Sequence, residues 1–288
     1  MVKLSISALL LCATNLVAGH GYLKSIVVND QTYMAWQVGQ DDYVTPTPER
    51  YARKLADNGP VPNFTTKDIT ELVWDQWNSA HSGPVFTYIA QCTNNDCKTF
   101  KGDTGNVWVK IDQLAYNPSA NPPWASDFLR ERGAKWSVVV PPGLTPGEYL
   151  LRHEILGLHV AGTRMGAQFY PSCTHIRVTQ GGSTKLPSGI ALPGSYSPDD
   201  KAGILVELWR INQGQVDYTA PGGPVWSGAA PNATGLAHRK RSSRLVSLLQ
   251  KVTILFGFYG SCTQGTCKDT VPCRIQWLGI GRIRAGCG

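Results

Sequence analysis

Beyond its first nineteen residues the chain has no long apolar run. The best candidate, 245–260, is broken by Gln250 and Lys251, so no segment is built to span a bilayer. Helical periodicity is scarce before residue 228, which excludes an all-helical reading. No internal repeat occurs, which excludes a repeat array. Positive charge is also missing where the formal net charge of +7 suggests it. From Gly228 onward there are nine Lys/Arg and one Asp, so the remainder carries a balance of −1. The main part of the chain therefore lacks the electrostatic footprint of a nucleic-acid-binding protein. The His238-Arg239-Lys240-Arg241 cluster in the tail reads as a solvated loop. Acidic residues exist, but no pattern pairs them as glycoside hydrolysis requires.

What is present begins with a secretory leader over 1–19. Lys3 supplies its positive start, Leu9-Leu10-Leu11 its apolar middle, and Val17-Ala18-Gly19 its small-residue end. Cleavage after Gly19 makes His20 the first residue of an extracellular protein. Cysteine usage suits that oxidising setting. Cys12 leaves with the leader, and seven remain: Cys92, Cys97, Cys173, Cys262, Cys267, Cys273 and Cys287. The count is odd, so the cysteines cannot all pair within the chain. Asn63 and Asn232 head Asn-X-Thr acceptor sites for N-glycans.

Thirty glycines and nineteen prolines punctuate short runs of β character. Strands are expected near 22–28, 72–77, 85–90, 107–114, 135–140, 147–160, 168–178 and 204–208. In Cys173-Thr174-His175-Ile176-Arg177-Val178, Ile176 and Val178 share a buried face and His175 and Arg177 the solvent face. Many short strands with turn signals indicate an all-β protein: an immunoglobulin/fibronectin-like antiparallel β-sandwich with long loops. Composition changes after Pro221-Gly222-Gly223-Pro224-Val225-Trp226-Ser227. This divides the chain into a leader (1–19), a main domain (20–227) and a basic, Cys-containing tail (228–288) of unassigned function.

An N-terminal His20 would carry both an imidazole and an α-amino group, whose pKa of about 8 leaves it far easier to deprotonate than a lysine. Together the two can chelate one metal ion. A second imidazole would complete three nitrogens, a set suited to copper. His81, in a loop between a strand and the Gly83-Pro84 turn, is the candidate. His159, Gln168 and Tyr170 are polar groups among strand-forming neighbours, and Gln168 and Tyr170 share a face on an extended strand.

His20-Gly21-Tyr22 after a leader, His81-Ser82-Gly83-Pro84, and the Leu158-His159-Val160-Ala161-Gly162 to Gly166-Ala167-Gln168-Phe169-Tyr170-Pro171-Ser172-Cys173 segment together resemble the fungal lytic polysaccharide monooxygenases. The likeness is to the cellulose-active auxiliary-activity family nine, formerly classed with glycoside hydrolases, and covers roughly 20–227. It implies a sandwich with a flat, copper-bearing face. One copper ion would be held by the amine and ring of His20 and the ring of His81, with Tyr170 axial. His159 and Gln168 would lie behind these ligands and hydrogen-bond oxygen species at the site. Tyr196 would lie on the substrate face, where it would stack on a sugar ring or serve in packing. The implied reaction is oxidative cleavage of β-1,4-glucan in cellulose or a related β-glucan. It would need an external electron donor, either a small reductant or a redox enzyme, together with dioxygen or hydrogen peroxide. A secreted monomer is expected, with no nucleic-acid or membrane partner. The alternative is a secreted copper- or glycan-binding sandwich that has lost turnover. Cys92 and Cys97 read as a local disulfide. In the family, Cys173 pairs with a cysteine in a loop after a Lys-Asp-Ile motif. Here Thr66-Lys67-Asp68-Ile69-Thr70 runs straight into Glu71-Leu72-Val73-Trp74, and that loop is missing. The gap is either a misplaced exon edge or a shortened variant.

Overall fold

The computed structural model describes residues 21–37, 40–46, 48, 50, 63–65 and 69–231, with backbone alone at 42, 63–65, 69 and 70. The chain divides into two compact units, Met1–Ser242 and Ser243–Gly288; every described residue belongs to the first. The glycan-acceptor side chains of Asn63 and Asn232 and the tail cysteines lie outside the described set.

Among the described residues nine strands form two sheets. They are β1 (Leu23–Val28), β2 (Gln31–Met34), β3 (Asn63–Thr65), β4 (Ile69–Trp74), β5 (Val85–Gln91), β6 (Val109–Leu114), β7 (Lys135–Val139), β8 (Gly147–Gly157) and β9 (Gln168–Gln180). One sheet runs β2-β1-β4-β7 and the other β3-β9-β8-β5-β6. All pairings are antiparallel except the edge pair β3–β9, which is parallel. The expected antiparallel sandwich is therefore present with one parallel exception.

Alternating residues fill the space between the sheets. Leu23, Ile26, Leu72, Trp74, Trp136 and Val138 from the first sheet meet Val85, Ile89, Ile111, Leu151, Ile155 and Ile176 from the second. A second apolar layer covers the opposite face of the larger sheet, where Phe86, Tyr88, Leu150 and Leu156 pack under Trp124, Leu192, Val206 and Ile211. Coverage on both faces explains the nearly unbroken Val-Phe-Thr-Tyr-Ile-Ala run of β5, whose first six residues are all buried. It also corrects the reading of β9. Arg177 is exposed as expected, but His175 on the same side is only 1% exposed.

Two further departures have local causes. The apolar run 204–208 is not a strand. The Ile204 and Leu205 N–H groups both donate to the Asp200 carbonyl (3.0 and 2.7 Å), which commits them to a turn before helix α2 (Leu208–Asn212). The other helix, α1 (Ala125–Glu131), is too short to show a periodic signature, yet Ala125 to Leu129 are all buried. Cys92 and Cys97 form the expected disulfide, with Cα atoms 5.1 Å apart. Cys173 carries a half-buried thiol beside the Arg152 guanidinium. Among the described residues no helix is long and apolar enough to cross a membrane.

Candidate active site

Immediately before β1 the chain is fastened to the end of β4. The Tyr22 N–H donates to the Asp75 carboxylate (2.9 Å) and the Asp75 N–H to the Tyr22 carbonyl (3.1 Å). Gly21 lies so close to the Gln76 carbonyl that a Cβ there would sit 2.1 Å from the oxygen. His20 itself lies outside the described residues.

The same β4 extension continues through Trp77 into the turn that delivers His81. The Ala80 N–H donates to Asn78 Oδ1 (2.8 Å) and the His81 N–H to the Asn78 carbonyl (3.1 Å). His81 lies in a loop, as read from the sequence, but it is only 9% exposed rather than free in solvent. Its carbonyl accepts from Trp77 Nε1 (3.0 Å) and Ser126 Oγ (3.3 Å). Beyond it, Gly83 presses against β8; a Cβ there would lie 1.8 Å from the Leu156 carbonyl oxygen.

β8 and β9 bring up the other side. The Leu158 N–H donates to the Ser82 carbonyl (3.0 Å), so the residue after Leu158, His159, emerges beside the His81 loop. The two imidazole centroids are 3.7 Å apart. Register pairs Gly157 with Gln168 and Ile155 with Tyr170, which puts both β9 side chains at this end of the sheet. Gly157 leaves room for the cluster; a Cβ would meet His159 Nδ1 at 3.3 Å and the Tyr170 ring at 3.5 Å. The Tyr170 hydroxyl donates to Gln168 Oε1 at 2.5 Å. Burial raises the Tyr170 pKa, so the phenol stays neutral.

The structure thus gathers His81, His159, Gln168 and Tyr170. It adds Trp77, which the sequence did not single out, edge-on to Tyr170 (5.0 Å) and to His81 (6.1 Å). Tyr196 is not among them. Its ring stacks on Phe169 at 4.8 Å and its hydroxyl lies 2.9 Å from that of Tyr88, a packing position. Trp209 on α2 is a large exposed aromatic, 53% exposed. The Val206 N–H bond to the Ala161 carbonyl (3.1 Å) ties its segment to the loop after His159. Its flanking charges, Glu207 and Arg210, were the available sequence signal. A cavity of about 420 Å³ lies elsewhere, between β6 and the segment around Trp226, and none of the clustered residues lines it.

The sequence profile of Auxiliary Activity family 9, formerly GH61, matches residues 70–218. The chain belongs to this family. Across 238 residues it is 33% identical to the AA9 family lytic polysaccharide monooxygenase B of Malbranchea cinnamomea, covering 74% of this chain and 94% of that protein. It is 36% identical over 242 residues to the AA9 family lytic polysaccharide monooxygenase A of Gloeophyllum trabeum, covering 73% of each. Among solved structures, the extended catalytic domain of H. jecorina LPMO9A superposes with a TM-score of 0.66 at 30% identity. That match covers 74% of this chain and 94% of the other. AA9 membership makes this chain an oxidoreductase of the monooxygenase type, one that cleaves polysaccharide oxidatively.

Proposed function

We propose that the secreted chain, cut after Gly19, cleaves β-1,4-glucan in cellulose or a related β-glucan using one copper ion held by His20 and His81. The observation that carries this reading is the meeting of His81, His159, Gln168 and Tyr170 at the loop to which Gly21, the residue after His20, is fastened.

The donor set fits copper. The cluster offers imidazoles and a phenol, which favours a nitrogen-preferring metal over the oxygen-preferring cations. Among the described residues no group of three or more His, Cys, Asp or Glu side chains is gathered for a metal. His81 would supply one imidazole of a chelate, and the amine and ring of His20 the remaining nitrogens. When bound, copper would supply one-electron chemistry with dioxygen or hydrogen peroxide, fed by an external small reductant or redox enzyme.

The chain's own residues orient and protonate. Tyr170, pinned through its hydroxyl to Gln168, would offer its phenol oxygen to the copper held by His20 and His81. Because Gln168 spends Oε1 on that bond, its amide N–H groups are the part left to donate toward oxygen species or substrate. His159, against the His81 ring, is placed to give or take a proton at its imidazole. Trp209 offers an exposed ring for stacking on a sugar, one of the two roles, with packing, expected of Tyr196. The catalytic domain is assigned to 20–227 as a monomer, and 228–288 is given no role.

The test is a copper titration of the chain beginning at His20, of its His81→Ala variant, and of a form with one extra residue ahead of His20. The reading predicts one tight site in the first and marked weakening in both others, because one loses an imidazole and the other turns the amine into an amide. Undiminished binding in either altered form would overturn that ligand assignment.

A further inference from the structure

We infer that Ser126, at the start of α1, is a positioning residue for His81, holding the loop that aims this imidazole at the metal. The inference rests on the copper reading above.

Ser126 is fully buried and ties three polar groups of the His81 loop at once. Its N–H donates to the Gly83 carbonyl (3.1 Å). Its hydroxyl accepts from the Gly83 N–H (2.9 Å) and donates to the His81 carbonyl (3.3 Å). The next residue, Asp127, accepts from the Ser82 hydroxyl at 2.7 Å. Two consecutive residues of α1 therefore hold His81, Ser82 and Gly83 in succession.

The opposite side of the same loop is clamped by β8 and its extension. The Leu158 N–H donates to the Ser82 carbonyl (3.0 Å) and the Leu156 N–H to the Pro84 carbonyl (3.1 Å). Gly83 has no space to shift toward β8, as its contact with the Leu156 carbonyl shows. With β8 as a fixed wall, α1 sets how far the loop can tilt the other way. Ser126 is the hinge pin of that constraint, because its one hydroxyl serves both the His81 carbonyl and the Gly83 amide. Alanine there would leave the buried Gly83 N–H without this acceptor and would take one donor from the His81 carbonyl. A peptide freed in this way can rotate, and the imidazole rotates with it. Partners behind a metal ligand commonly change metal affinity by about 10–100-fold when removed.

The experiment measures copper affinity and the electron paramagnetic resonance spectrum of the cupric protein for the chain beginning at His20. Its variants are Ser126→Ala, His81→Ala and the double variant, with melting temperature recorded for each. Ser82→Ala, at the edge of the same knot, is the companion should Ser126→Ala not fold. The expected result is at least a tenfold loss of affinity and a shifted copper spectrum for Ser126→Ala. In the His81→Ala background the same change should have no further effect on residual copper binding, because Ser126 acts only through His81. An unchanged affinity and spectrum in Ser126→Ala would overturn the inference. So would an equal loss with and without the His81 imidazole, which would mark a general effect on the fold. If His81→Ala alone binds copper like the unmodified chain, the copper reading fails, and the role given to Ser126 falls with it.

Discussion

Asp112 and His153 show how a buried polar group behaves between two packed sheets. Asp112 accepts from Trp136 Nε1 (2.7 Å) and pairs across β5–β6 with Thr87, whose hydroxyl lies 3.0 Å from His153 Nδ1. Burial pushes the Asp112 carboxyl up to about 7 and the His153 imidazole down to about 3. The two act on stability in opposite senses. Asp112 has a raised folded pKa, so its contribution is complete below about 4 and lost as pH climbs to about 7. His153 has a depressed folded pKa, so its contribution is lost as pH falls from about 6.5 toward 3. Asp112→Asn keeps an acceptor for the indole and cannot ionise. Urea unfolding should show the variant equal to the unmodified protein near pH 4 and more stable, by a few kcal/mol, above pH 7. A gap independent of pH would contradict the buried-acid account. The site was legible at this scale to a limited degree. His81, His159, Gln168 and Tyr170 stood out as polar residues in apolar or turn settings. Ser126 and Trp77 did not, because a serine or tryptophan acquires its role from a tertiary partner that no local pattern names.

Among the elements, the central strands were readable and the edges were not. β5 announces itself by an apolar run because both faces are covered, and β7 by alternation. β2 and β3 are short, polar and peripheral, so neither pattern reaches them. The run 204–208 misled because its hydrophobicity reflects burial in the outer layer, while its amides serve a turn. That layer depends on a strap from Pro221 to Trp226. Lys110, on β6, donates to the carbonyls of Pro221 and Gly223 (2.7 Å each) and to Gln113 (2.6 Å), lying over the Phe86 and Tyr88 rings. The Trp226 N–H returns a bond to the Lys110 carbonyl. Lys110→Met keeps the packed stem and removes all three donors. At a pH below about 7, to which burial lowers the Lys110 pKa and where the ammonium is charged, it should cost at least about 1.5 kcal/mol, the low end for a single hydrogen bond to a charged group. Amide exchange should accelerate mainly at Trp226 and its neighbours, whereas a uniform change or none would show that the strap is held by packing alone.

For the whole molecule, two sheets and an outer layer present the β8–β9 end as a platform for the histidines. β4 pairs with β1 on one side and β7 on the other from Thr70 onward, and β3 reaches β9. Sandwich class and family were legible because they rest on many residues at once. The central claim is that this assembled surface oxidises cellulose rather than only binding copper or glycan. Mass spectrometry of soluble products from amorphous cellulose tests it most directly, using copper-loaded chain beginning at His20, with and without ascorbate. Oligosaccharides bearing an oxidised end, formed only with ascorbate, are the predicted result. Folded, copper-loaded protein that releases no oxidised sugar under those conditions would contradict it.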